Sequence, residues 1–303
     1  MQRGRFGRYS HDKIFIVYDK QKPVKVLTGS TNLSVTGMYV NSNHVLVFEN
    51  EKVAGTYADV FNESWNDNES AAAFRKSPFA NKLIPFSANG VPKMKVSFSP
   101  HTKTFAESNL TEIAKRINDE KKCVLFAVMG ISSGGGDVLK ALKSIHKKQD
   151  VFTYGISDSP GELALYKPGD STGILVKGKG SFKLPKPFNK EKSVGQGHQI
   201  HHKFVICGFN GKSPVVWCGS SNLAAGGENA NGDNLLAVYD EDIVTVFTIE
   251  AIAMVDHFHF RNNHPKTSGS IEDSPMTLSV DSLWVPPYYD KNDLHCKDRE
   301  LFA

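Results

Sequence analysis

Residues 11–43 read HDKIFIVYDKQKPVKVLTGSTNLSVTGMYVNSN, and residues 201–233 read HHKFVICGFNGKSPVVWCGSSNLAAGGENANGD. Set one above the other, they share His-x-Lys at 11–13 and 201–203, then Gly-Ser-x-Asn at 29–32 and 219–222. Each stretch ends on a polar residue after ten intervening residues, Asn43 in the first and Asp233 in the second. All these positions are offset by 190, without a slip over 33 residues. A short motif recurs by chance, but two copies with equal internal spacing do not arise that way. The pattern predicts two structural repeats carrying one doubled site.

Working outward, each copy opens on a short apolar, β-rich run, residues 14–18 and 204–207, which fits a buried strand. A second strand, 24–28 or 214–218, runs straight into the Gly-Ser-x-Asn turn, and a third follows at 45–48 or 235–238. Helical patterns come next, over 53–65 and 242–260. In the latter, Ile243, Phe247, Ile252, Val255 and Phe258 mark an apolar face. Between the copies, strands at 94–98, 122–129 and 151–156 alternate with helices at 105–117 and 137–148. Strands and helices alternating at this spacing predict an α/β layer architecture. Residues 167–199, rich in Gly, Pro and Lys, read as a long loop with one strand near 173–176.

The halves are unequal in front of their motifs. About 108 residues of scaffold, from Lys93, precede His201, whereas ten precede His11. The chain therefore divides into a shortened first half (1–92), a complete second half (93–262) and a C-terminal tail (263–303) that packs on them. The strand at 14–18 is left without partners on one side, and a bare apolar edge invites pairing with other chains. Three things would cover it: chain upstream in a longer protein, a second subunit in a homodimer, or the tail segment from Leu283 to Tyr289.

Composition is that of an ordinary globular protein, 40% hydrophobic and 22% charged, over 303 residues. The net charge of +4 suits an anionic substrate, and no Lys/Arg run is dense enough to read as a nucleic-acid-binding arm. Four scattered cysteines without Cys-x-x-Cys spacing give neither a disulfide framework nor a zinc site. No stretch approaches 18 apolar residues, and no apolar run follows the first five residues as in a signal peptide. The expected location is cytoplasmic, with only transient contact at a membrane surface.

Cleaving a phosphodiester through a covalent intermediate needs a nucleophile on one side of phosphorus and a proton donor for the leaving oxygen on the other. Two histidines, His11 and His201, meet that need if the halves pack face to face. The phosphoryl oxygens need fixed cationic and hydrogen-bonding groups around them. Lys13 and Lys203 share a strand face with their histidines by the period of two. The turns bring the Asn32 and Asn222 amides and the Ser30 and Ser220 hydroxyls to the same place, as phosphate-binding groups.

These residues resemble the phospholipase D superfamily, whose signature is His-x-Lys followed by Gly-Ser-x-Asn in two copies. The resemblance covers residues 11–65 and 94 to about 260. It implies an α/β phospholipase D/nuclease fold of two pseudo-repeated mixed-sheet halves with flanking helices and the active site at their interface. It implies no metal and no other cofactor, and a phosphohistidine intermediate, with His11 as nucleophile and His201 as general acid. By the same resemblance Asp233 orients His11 from the opposite half, while Asn43 leaves His201 with an uncharged partner. An imidazole without a carboxylate is the weaker base, which agrees with His11 as nucleophile. One departure is that the family's aspartate follows His-x-Lys after four residues, whereas Asp19 arrives after five and the second copy has Gly208 at the family's position.

Other polar features have plainer readings. The loop Ser132 to Gly136 is either a substrate-lining turn or a flexible one, without the Gly-Lys-Ser/Thr of a nucleotide loop. His198 and His202 lack the carboxylate or cysteine company of a metal site. His202 alternates away from the active face, and His257 and His259 fall on a helix. The expected activity is metal-independent hydrolysis of phospholipids. A nuclease of the same superfamily and a phosphate-binding scaffold without turnover are the competing readings.

Overall fold

The computed structural model describes residues 6–66, 70–87, 90–131, 136–159, 162–176, 200–263 and 280–303. Two sheets carry the two motif copies. In the first, β1 (Phe15–Asp19), β2 (Lys22–Gly29) and β3 (Val45–Phe48) pair antiparallel in that order. The short α1 (Val35–Tyr39) and the long α2 (Glu51–Asn66) flank β3 in the chain, and α3 (Ala71–Phe74) leads towards the second sheet. That sheet has nine strands in the order β4-β5-β12-β11-β10-β6-β7-β8-β9. Its members are β4 (Ile84–Phe86), β5 (Met94–Ser99), β6 (Cys123–Val128), β7 (Phe152–Ser159), β8 (Glu162–Lys167) and β9 (Asp170–Val176), with β10 (Lys203–Cys207), β11 (Val215–Gly219) and β12 (Asp233–Val238) at its centre. Its helices are α4 (Lys103–Asn118), α5 (Asp137–Ile145), α6 (Ala225–Ala230) and α7 (Glu241–Asn263), and α8 (Leu294–Phe302) ends the chain.

The α/β architecture expected from the alternation is present. The mixed sheet lies in the second half, where β6 and β7 run parallel, while all three strands of the first half are antiparallel. The second sheet begins at Ile84, ahead of the boundary expected at residue 93. Part of the expected 167–199 loop is instead a hairpin: β8 and β9 pair through Pro168-Gly169, where Gly169 takes a positive φ. Residues 177–199 of that loop, and 132–135 of the glycine loop, lie outside the described residues.

Apolar side chains fall into two cores. One lies between the inner faces of the sheets, where Val26 and Phe48 meet Tyr57 of α2, and Phe98 and Phe204 meet Tyr57 and Phe247. The other lies outside the second sheet, where Ile113 and Ile117 of α4 and Leu142 and Ile145 of α5 cover Val205, Cys207, Leu235 and Ala237. Among the described residues, nothing covers the first sheet in this way. Phe15, Val17, Val45 and Val47, each 190 positions before those four residues, are 51%, 50%, 46% and 56% exposed. Apolar residues on both faces are the pattern of a sheet buried on both sides. Among the described residues, no strand pairs with the outer edge of β1, whereas β6 occupies that edge of β10.

The segment from Leu283 to Tyr289 does not fill the gap. Phe302 of α8 packs against Phe152 and Phe209 of the second half, and Leu283, Trp284 and Tyr289 stay exposed. All four cysteines are buried and free. No described helix is long and apolar enough to cross a membrane.

Candidate active site

The halves meet about a pseudo-twofold axis that the 190-residue offset makes visible. The His11 amide donates to the Gly232 carbonyl at 2.8 Å, and the His201 amide donates to the Ser42 carbonyl at 3.0 Å. Ser10 bridges Gly232 and Ser42 bridges Ile200, so each His-x-Lys is pinned by the residue before the other half's polar position. Backbone pairing thus brings the two histidines into one site. Both turns depend on glycine: at Gly29 and Gly219 φ is +144° and +138°, and an added Cβ would strike the backbone carbonyl of His44 or Asn234.

Asp233 reaches across the axis and accepts from His11 Nδ1 at 2.6 Å, leaving His11 Nε2 as the free nitrogen. Burial by itself would raise the Asp233 carboxyl. The hydrogen bond and charge of His11, with help from Ser220 and Lys13, hold it below the usual carboxylate range. Asn231 also donates to its second oxygen, at 3.1 Å.

His201 has a different support. Its Nδ1 donates to the Ser30 carbonyl at 2.6 Å, and its Nε2 lies 3.3 Å from Asn32 Nδ2 and 3.4 Å from Lys203 Nζ. Asn43 is not its partner: the Asn43 amide donates to the carbonyls of Gly37 and Asn41 and staples the α1 loop. The expectation of an uncharged partner on His201 therefore holds in kind but not in identity, because a main-chain carbonyl fills the place. Burial, then the charges of Lys203 and Lys13, push His201 down to about 3. Burial also lowers Lys203 to about 7 and Lys13 to about 8. Lys13 contributes to the fall at Lys203, which is the signature of two cations crowded into one dry pocket.

The two serines differ from expectation. Ser30 and Ser220 are fully buried and their hydroxyls are engaged within the protein. Ser30 Oγ accepts from the His44 amide at 3.1 Å, and Ser220 Oγ accepts from the Asn234 amide at 2.9 Å and donates to Asp12 at 3.2 Å. They lock the turns and are not open to a ligand, because the strand after each motif needs a partner for its first amide. Asn222 keeps a buried Oδ1 without a hydrogen-bond partner.

Asp12, His44 and Asn234 escaped the sequence reading, and His202 entered it only as a residue turned away from the active face. Asp12 and His202 fill the x positions of the two His-x-Lys motifs, and His44 and Asn234 follow Asn43 and Asp233. Both pairs obey the 190-residue offset, which is the signal that marks them. Asp12 is pushed up to about 7, by burial first and by the charge of Asp233 second.

No family model matches the chain, and no curated protein matches it. Among solved structures, the chain is similar to polyphosphate kinase from Porphyromonas gingivalis, at 12% identity and a TM-score of 0.41 over 82% of this chain. It spans 33% of the kinase's length. It is also similar to Nuc, a phospholipase D family member from Salmonella typhimurium, at 16% identity and a TM-score of 0.31, over 59% of this chain and all of Nuc. What the site does has to follow from its own geometry.

Proposed function

We propose that this chain cleaves phosphodiesters without a metal, by double displacement at His11, and that its substrates are phospholipids. The observation that carries the reading is the cross-half pair His11–Asp233 facing a second imidazole beside two buried lysines. Asp233 holds His11 Nδ1–H, so Nε2 carries the lone pair that attacks phosphorus. Lys13, Lys203 and the Asn32 and Asn222 amides take the phosphoryl oxygens, whose negative charge grows as the new P–N bond forms.

As the P–O bond to the leaving alcohol breaks, His201 Nε2 donates the proton that oxygen needs. Without substrate His201 is neutral, since burial first and the charges of Lys203 and Lys13 second disfavour its proton. An anionic phosphoryl group between the lysines offsets that repulsion, so His201 takes up a proton from solvent as the substrate binds. Water then attacks the phosphohistidine and gives its proton to His201. The P–N bond breaks, releasing a phosphomonoester and free His11. The mild positive charge without a dense basic tract favours a lipid headgroup over a nucleic-acid strand, which a basic groove with stacking aromatics would suit better.

The test is turnover of phosphatidylcholine vesicles, a chromogenic bis-aryl phosphate and plasmid DNA, each with and without chelator. Lipid and chromogenic turnover that survives chelator and vanishes in His11→Ala is the expected result. A strict metal requirement, or near-normal rates in His11→Ala, would overturn the mechanism, and cleavage of DNA alone would overturn the substrate class.

A further inference from the structure

The residues that follow the two histidines point away from the site, yet they are tied back to it. His202 is buried, and its Nε2 lies 3.1 Å from Glu250 Oε1 on α7. Its Nδ1 lies 3.3 Å from Nδ1 of His44, which comes from the other half. The His44 ring stands parallel to it, 9° between planes. On its far side, His44 Nε2 accepts the Gly219 amide at 3.1 Å.

These contacts leave one consistent set of protons. The Gly219 N–H requires a bare His44 Nε2, so the His44 proton sits on Nδ1. A carboxylate at Glu250 requires a donor, so His202 carries its proton on Nε2 and offers a bare Nδ1 to His44, whose Nδ1–H is shared between that nitrogen and Ser30 Oγ, each 3.3 Å away. His44 then grips Ser30 through the backbone, with the Ser30 amide donating to the His44 carbonyl at 3.0 Å and the His44 amide donating to Ser30 Oγ at 3.1 Å. The Ser30 carbonyl in turn holds His201 Nδ1. Burial, with the charges of His202, Lys203 and His201, keeps His44 well below its ordinary value and so neutral.

We propose that Glu250, His202 and His44 are positioning residues: a one-way chain of hydrogen bonds, running from helix α7 across the interface of the halves, that fixes the Ser30 carbonyl and through it the tautomer of His201. The other half solves the same problem differently. There Asn234 grips Ser220 by the matching backbone bonds, and its side chain donates to Asp12 at 2.7 Å. Asp12 and Asn234 stand where His202 and His44 stand, displaced by 190. The acid side of the site is therefore held by an imidazole pair reaching a half-exposed carboxylate, and the nucleophile side by a sealed Asp–Asn pair.

The kinetic part of the inference rests on the phosphodiesterase reading, and the spectroscopic part does not. With nitrogen-15 histidine, NMR of the full chain should find His44 protonated on Nδ1 and His202 on Nε2. Glu250→Ala, at a half-exposed position that leaves the fold intact, should scramble the His202 tautomer. It should also lower kcat on the chromogenic diester tenfold or more, with KM within twofold and an unchanged melting temperature. Glu250→Gln keeps an acceptor and should restore most of kcat. The His202→Asp/His44→Asn double variant imports the other half's pair and should outperform His202→Asp alone. His44 protonated on Nε2, or wild-type kcat in Glu250→Ala, would overturn the chain. If the wild type cleaves no diester, the functional reading falls and the tautomers still decide this one.

Discussion

Two imidazoles of one origin are set apart by what each finds behind its Nδ1: a carboxylate for His11, a main-chain carbonyl for His201. A carboxylate raises the basicity of the nitrogen that attacks and stabilises the charge that develops on the ring. Asp233→Asn keeps the shape but loses that charge, so kcat should fall by roughly 10²–10⁴ while the chain stays folded, as measured by turnover beside circular dichroism. The lysines give a second prediction. Lys203, near 7, and Lys13, near 8, lose their charge in the empty site as pH rises through those values, whereas a bound anion holds both protons on. Anion binding is then proton uptake, and affinity must fall as pH rises. Sulfate, which does not titrate near neutrality, should bind about tenfold or more weaker at pH 9 than at pH 6 by calorimetry. A flat profile would mean that the lysines do not share the anion. At this scale the sequence was most informative where spacing repeats: His11, Lys13, His201, Lys203 and Asp233 all stand out in the alignment of the two copies. Ser30 and Ser220 stood out equally, yet their role differs, since sequence does not reveal that a turn hydroxyl is consumed by the amide opposite.

At the scale of elements, the two sheets are an internal control for one another. β10 has β6 on its free edge and α4 with α5 over its outer face, and its residues are fully buried. β1 has the same apolar pattern with neither cover among the described residues. The strands of both copies could be read from period and composition, and so could the shortage of scaffold ahead of His11. The site of the tail could not, because Leu283 to Tyr289 matched an apolar gap in composition alone. An uncovered apolar face with an open edge is a self-association surface. Val17→Lys and Val47→Lys should therefore reduce concentration-dependent association in analytical ultracentrifugation, with little change in melting temperature. Val26→Ala, on the buried face against α2, should instead cost about 2 kcal/mol of stability from lost burial and the cavity left behind. If Val17→Lys destabilises as much as Val26→Ala, β1 is covered in solution.

The whole molecule is two halves that meet through an apolar core and, beside it, a polar surface, so its stability must respond to pH through the acids that surface encloses. Asp12 sits at the centre of that surface, bound by Asn234 and Ser220, and it also feels Asp233. Glu228, hydrogen-bonded to Ser221 nearby, is raised to about 7 as well, by burial first. A carboxyl whose folded value lies above its ordinary one takes up protons on folding, so its neutral form is the one the fold favours. That contribution is complete below about pH 4, fades as pH climbs from about 4 to about 7, and stays absent above. Asp233, lowered, works in the opposite sense, losing its contribution only as pH falls through its depressed range. Between pH 5 and pH 8 the lowered imidazoles of His201 and His44 and the lowered ammonium of Lys203 work against the raised pair, each gaining stability as pH rises, so the contribution of Asp12 is read as the difference between a variant and wild type. Asp12→Asn keeps an oxygen to accept from Asn234 and Ser220 but cannot ionise. It should gain stability over wild type at pH 8 and little at pH 5, as read from the two melting temperatures at each pH. An Asp12→Asn profile parallel to wild type would mean that Asp12 is already charged at pH 5, and that the halves are held by an ion rather than by a neutral acid.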